Sequence, residues 1–159
     1  MSVLEVAEQT GEVGSTRRVP LGRRVVATLE SAQSILNTDR IPDEDLRRTA
    51  LREAEEEIGL EPDQVELVGA LPPIGTYVTS YRVHPFVGLI PAGLDLRPNP
   101  AEVETVLNFE LEQLRGAYAM RRLVRRGVPI RTPTFEIGRH LIWGATGRIL
   151  RDLLERLPS

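Results

Sequence analysis

Glu53, Glu56 and Glu57 stand three and four residues apart in a stretch that otherwise reads as a helix, so their side chains project from neighbouring positions. At about 100° per residue, Glu53 and Glu57 fall about 40° apart and border an apolar stripe of Leu46, Ala50 and Ala54. Carboxylates held this close and partly withdrawn from water repel one another unless a cation neutralises them. Mg²⁺ suits such a cluster, because it takes hard oxygen ligands, keeps several waters and bridges protein carboxylates to substrate phosphates. The same run also reads as a solvated helix, with Glu44/Arg48 and Arg52/Glu56 at ion-pair spacing. Spacing alone leaves both readings open.

Other reactive side chains are few. The chain has no cysteine, which excludes disulfides, thiolate catalysis and cysteine-held zinc, so a metal would need oxygen or histidine ligands. His84, in an apolar strand, and His140, just before the last helix, are expected to be structural. Trp143 is expected in the core. The basic run Arg121-Arg122-Leu123-Val124-Arg125-Arg126 reads as a solvated helix or turn, with binding of phosphate or an acidic partner as the functional alternative. Tyr77 and Tyr81 read as packing residues, with stacking on a base as the alternative. No serine or threonine has nucleophile-elbow spacing, so acyl transfer is not supported.

The 159 residues suffice for one domain with a real core. Hydrophobic residues make up 41% and charged residues 27%, a globular balance. No apolar run approaches a membrane span, so no membrane partner is expected. Glu5, Glu8 and Glu12 stand where a signal peptide would be basic and then apolar, which predicts a cytoplasmic protein. A net charge of -3 argues against nucleic acid as the partner. All 20 basic residues are arginine, a bias that a GC-rich coding sequence explains.

Positioning the acids requires a helix, and its limits are marked: Pro42 and Asp43 start it, and Gly59 with Pro62 stops it. Leu46, Ala50, Leu51, Ala54 and Ile58 recur on one side at helical spacing. Around it the sequence predicts strands over 23–29, 65–71, 76–80, 83–90 and 131–137, and a closing amphipathic helix over 142–157. Residues 1–16 carry weak structure signals, 37–42 and 91–100 read as loops, 110–115 as a helical turn, and 102–109 as either strand or helix. Strands mixed with two substantial helices place the chain in the α/β class, as a sandwich.

Arg52-Glu53-Ala54-Glu55-Glu56-Glu57-Ile58-Gly59-Leu60 resembles the second half of the box that marks the Nudix family, and Glu44, eight residues before Arg52, matches the box's first glutamate. The resemblance implies an α/β/α sandwich with a mixed sheet and a loop-helix-loop that binds divalent metal, Mg²⁺ or Mn²⁺, and hydrolyses a nucleoside diphosphate linked to another group. It makes Glu53, Glu56 and Glu57 metal ligands, has Arg52 orient the acids and gives Glu44 a supporting role. The stretch 76–90, the run Asn99-Pro100-Ala101-Glu102-Val103 and the tail His140–Thr146 resemble the coenzyme A diphosphatase group, where a downstream glutamate, here Glu102, completes the metal site or acts as base. The implied substrate is a small nucleotide, coenzyme A or a related derivative. The alternative is a degenerate Nudix domain that binds a nucleotide or protein partner without hydrolysis.

The resemblance covers residues 40–157, so 40–159 reads as the hydrolase domain and 1–39 as an atypical N-terminal segment. Asn37-Thr38 stands where the box opens with glycines, whose backbone turns tightly and approaches a ligand closely. Threonine is β-branched and resists such conformations. Divergence, an alternative start and an altered reading frame each account for so abrupt a change. In the family this part supplies strands beside the catalytic helix, so incomplete N-terminal strands would leave an open sheet edge and favour a homodimer.

Overall fold

A computed structural model describes residues 4–7, 23–28, 33–34, 43–75, 81–103, 105–125 and 127–157. In chain order these contain β1 (Leu4–Ala7), β2 (Arg23–Thr28), β3 (Gln33–Ser34), α1 (Asp43–Ile58), β4 (Glu66–Ala70), β5 (Ile74–Gly75), β6 (Tyr81–Val83) and β7 (Phe86–Pro91). There follow β8 (Leu107–Glu110), α2 (Leu111–Ala117), β9 (Tyr118–Arg125), β10 (Val128–Ile137), β11 (His140–Ile142) and α3 (Gly144–Leu154). A single 3-10 turn, Pro62–Gln64, leads from α1 into β4.

Five strands form a mixed sheet in the order β4-β7-β2-β1-β8, in which β1 and β8 run parallel and the other neighbours antiparallel. Two three-stranded sheets, β11-β10-β9 and β3-β6-β5, complete the α/β fold. Two strands from residues 1–39, β1 and β2, therefore lie inside the largest sheet, each paired on both flanks. Backbone pairing needs no particular side chains, so a segment with weak local signals still completes a ladder.

The core collects the apolar faces of these elements. The largest buried cluster includes Leu114 of α2, Phe135 of β10 and Ile149, Leu150 and Leu153 of α3. A second joins Ala54, Ile58 and Leu60 to Ile90 and Val103, fastening the end of α1 to β7 and to the loop beyond it. Helix α3 lies so close to β10 that a Cβ on Gly147 would stand 2.7 Å from the carbonyl oxygen of Pro133, so only glycine fits there.

Several expectations need correction. The run 83–90 is not one strand: Tyr81–Val83 pairs with β3 and β5, while Phe86–Pro91 pairs with β2 and β4. Pro85, which has no N–H to give a ladder, sits at the break and accepts a bond from the Leu71 amide through its carbonyl at 2.9 Å. The basic run expected as helix or turn is strand β9, closed onto β10 by a tight hairpin at Gly127, whose φ is +79°. The last helix begins at Gly144 rather than Ile142, because Ile142 pairs with Phe135 in β11, and it ends at Leu154. Of 102–109, Leu107 onward is strand, while 102, 103, 105 and 106 lie outside helix and strand. The expected strand 76–80, Tyr77 and the Asn37-Thr38 loop lie outside the described residues. No helix among the described residues is long and apolar enough to cross a membrane.

Candidate metal site at the end of the first long helix

Helix α1 turns Leu46, Ala50, Ala54 and Ile58 inward, and all four are buried. Glu57 falls within the arc of that apolar stripe, which explains why a carboxylate with only 6% exposure sits there. Burial pushes its carboxyl pKa above the usual range, and the charges of Glu53, Glu102 and Glu56 push it further the same way. Glu53, one turn earlier, is half-buried, and its Oε2 is buried with no hydrogen-bond partner. An unmatched carboxylate oxygen in the interior is costly unless something electropositive meets it.

Arg52 and Glu56 face outward together. Arg52 Nη1 donates to Glu56 Oε1 at 2.9 Å and Oε2 at 2.7 Å. This pair holds Glu56 on the exposed flank of the helix. Glu44 is exposed on the first turn. Nine residues of helix separate it from Glu53, about 13 Å of rise and about half a turn around the axis. The helix thus does not bring Glu44 to the other acids.

Gly59 ends α1 with φ of +67°, a left-handed conformation that lets the chain reverse and bury Leu60. A loop then returns across this end. Arg97 N–H donates to the Ile58 carbonyl and Asn99 N–H to the Glu57 carbonyl, each at 2.7 Å. Both bonds satisfy carbonyls that a helix terminus leaves without partners. Asn99 Oδ1 accepts the Ala101 amide at 3.1 Å, and its Nδ2 reaches Glu102 Oε1 at 3.5 Å. Buried Val103 anchors the far side of the turn. The loop so fastened carries Glu102 into electrostatic range of Glu57.

Of the four expected ligands, Glu53, Glu102 and Glu56 all act electrostatically on buried Glu57, and Glu56 is also held by Arg52. Among the described residues no three histidine, aspartate or glutamate groups stand close enough to enclose an ion by themselves. The donor set nevertheless fits a hard divalent cation in its chemistry. It is all carboxylate oxygen, one of those oxygens is buried without a partner, and Glu57 is buried among its own kind. The strap made by Arg97 and Asn99 was not anticipated. Its signal is the Asn-Pro turn at Asn99-Pro100, three residues before Glu102.

The histidines and Trp143 lie on or beside other elements. His140 lies in β11, edge-on to Phe109 at 6.4 Å, and His84 lies half-buried between β6 and β7. Trp143 is half-buried at the start of α3 rather than fully in the core, with the Arg125 guanidinium 5.4 Å from its ring centre.

The family model of the NUDIX domain matches residues 39–127, more than half of the chain. This chain belongs to the Nudix family. A protein named uncharacterized Nudix hydrolase NudL from Photorhabdus laumondii is 37% identical over 117 residues, covering 72% of this chain and 62% of that protein. Proteins of the same name from Escherichia coli and Shigella boydii are 41% identical over 106 residues, covering 65% of this chain and 55% of theirs. The chain thus spans little more than half the length of these relatives.

Proposed function

We propose that this chain is a metal-dependent hydrolase that cleaves the diphosphate linkage of a nucleoside diphosphate derivative, with coenzyme A as the leading candidate, and that it works in the cytoplasm. The observation that carries this reading is the buried, unpartnered Oε2 of Glu53 one helical turn from buried Glu57. Folding has left anionic oxygen where a cation restores the balance, and Mg²⁺ or Mn²⁺ supplies charge neutralisation of the diphosphate when bound. Glu53 and Glu57 would hold the ion, and Glu102 would join them or take a proton on a carboxylate oxygen from the attacking water. Arg52 holds Glu56 in an ion pair on the exposed flank of the helix. The water oxygen bonds to phosphorus as the bridging P–O bond breaks. With coenzyme A the products are 4′-phosphopantetheine and 3′,5′-adenosine bisphosphate.

The domain that does this is taken as residues 40–159, with 1–39 contributing β1 and β2 to its sheet. The test is incubation of purified protein with coenzyme A and a panel of nucleoside diphosphate derivatives, with Mg²⁺ or with chelator, and product analysis. Chelator-sensitive release of 4′-phosphopantetheine supports the reading. Turnover of the panel that chelator does not affect sinks the metal-dependent mechanism.

A second reading is a Nudix domain that binds a nucleotide or protein without hydrolysis. The Arg52–Glu56 pair, which occupies one expected ligand, favours it. Nucleotide binding with no product in the same assay would select it.

A further inference from the structure

Strands β9 and β10 carry Arg121, Arg122, Arg125 and Arg131 against a single acid, Glu136. Two of the arginines have evident occupations: Arg121 Nη1 lies 2.6 Å from Glu136 Oε2, and Arg125 lies over Trp143. The other two do not. Arg122 and Arg131 are direct cross-strand partners, so both exposed side chains leave the same face of the ladder side by side. Among the described residues no ion pair is formed by either one. A like-charge pair in this position works against the hairpin unless an anion comes between the two.

The surroundings of the pair are apolar and open. Tyr118, Met120 and Val124 alternate with Arg122 on that face, with exposures of 41%, 40% and 74%. Strand β9 is the edge of its sheet, pairing among the described residues with β10 alone. Eight residues of edge thus offer backbone donors and acceptors, with Tyr118, Met120, Arg122 and Val124 side by side on one face for apolar and anionic neighbours. Edge strands are often protected simply by charge. That purpose would be served by arginine on β9 and does not call for a second, Arg131, on the inner strand opposite.

Independently of the reaction assigned above, we propose that β9 is a docking edge for an extended acidic polypeptide segment, which adds as a further strand and sets a carboxylate against Arg122, with the long Arg131 side chain on the same face reaching toward it. Guanidinium groups receive carboxylates through paired, directional hydrogen bonds. Another copy of the chain docked edge to edge would bring arginines against arginines. Single-stranded nucleic acid prefers free aromatic platforms, yet the Tyr118 ring packs on Phe135 at 5.6 Å and Trp143 is met by Arg125.

The test uses the full chain and a blocked eight-residue peptide alternating glutamate and valine, titrated while backbone amide resonances are followed. Expected are shifts concentrated in 118–125, no binding of a lysine-valine counterpart, and about tenfold weaker binding to Arg122→Thr and Arg131→Thr. Because each substitution removes a like-charge contact, both variants should melt no lower than the parent, which separates lost docking from lost folding. The proposal is overturned if the peptide does not bind, if both variants bind it as the parent does, or if an oligothymidylate or anionic lipid vesicles displace it from the same amides.

Discussion

The backbone amide of Asn99 donates to the carbonyl of Glu57 across 2.7 Å, so the loop bearing Glu102 is tied directly to the residue it faces. The acids are thereby held by two chain segments that meet at a helix end. The loop is thus positioned by main-chain bonds rather than by its side chains alone.

Asn99→Ala keeps the main-chain tie and removes both the turn bond to Ala101 and the contact to Glu102. Activity with Mg²⁺ is expected to fall about tenfold, mainly through a higher Mg²⁺ requirement, as for other groups that orient ligands. Titration of the rate with Mg²⁺ checks it, and an unchanged requirement would leave the loop's orienting role unsupported.

Glu57 gives a pH dependence of stability. Its folded-state pKa lies above its unfolded value, so in the window between the two the folded chain binds more protons than the unfolded one. Its contribution to stability is complete below the ordinary glutamate range and is lost as pH rises through the raised value. Metal-free protein should therefore melt lower across that window. Glu57→Gln should flatten this part of the profile, while hydrolysis falls by orders of magnitude.

Ligand linkage gives a second stability test. Mg²⁺ at about one hundred times its dissociation constant should stabilise the folded chain by about 2.7 kcal/mol. Glu53→Gln should lower that gain, since it neutralises the oxygen left without a partner. Calorimetric melts with and without Mg²⁺ report it, and an equal gain in the variant would place the ion elsewhere.

Arg52 separates structure from chemistry. Its pair with Glu56 is exposed, and exposed ion pairs add little to stability. Arg52→Ala should leave the melting temperature essentially unchanged while reducing turnover, because Glu56 loses its fixed orientation. Equal turnover in parent and variant would make the pair ornamental to catalysis.

Gly59→Ala should cost about 1 kcal/mol in chemical denaturation, the penalty of a side chain in left-handed backbone. Space is not the difficulty, since the added Cβ would make an ordinary 3.5 Å contact with Arg97 Cβ. A variant as stable as the parent would show that the helix end can relax, and then the strap to Asn99 should move with it.

The helix of the site could be read residue by residue from the chain. Pro42, Asp43 and Gly59 mark its ends locally, and the period of Leu46, Ala50, Ala54 and Ile58 fixes which side is inward, so Glu57 could be placed near the core beforehand. The hairpin was not read in advance, because Tyr118-Ala-Met-Arg-Arg-Leu-Val-Arg125 suits helix and strand alike, and the cross-strand pairing that decides between them is non-local. Gly127 was the local clue. The Asn99 strap escaped notice for a related reason, since main-chain bonds between distant segments leave no side-chain pattern. The family resemblance identified the acids as a set, and the four-residue spacing of Arg52 and Glu56 already offered the ion pair that the structure forms.

Strand β1 takes its parallel neighbour from the other side of the domain: Leu4 lies opposite Leu107, more than a hundred positions along the chain. Closing so large a loop is entropically slow, and during synthesis the first strand must wait for β8 to leave the ribosome. Assembly of the central sheet is accordingly a late event, and a nascent chain halted before Leu107 would carry β1 with one flank unmatched, a natural place for a chaperone to act.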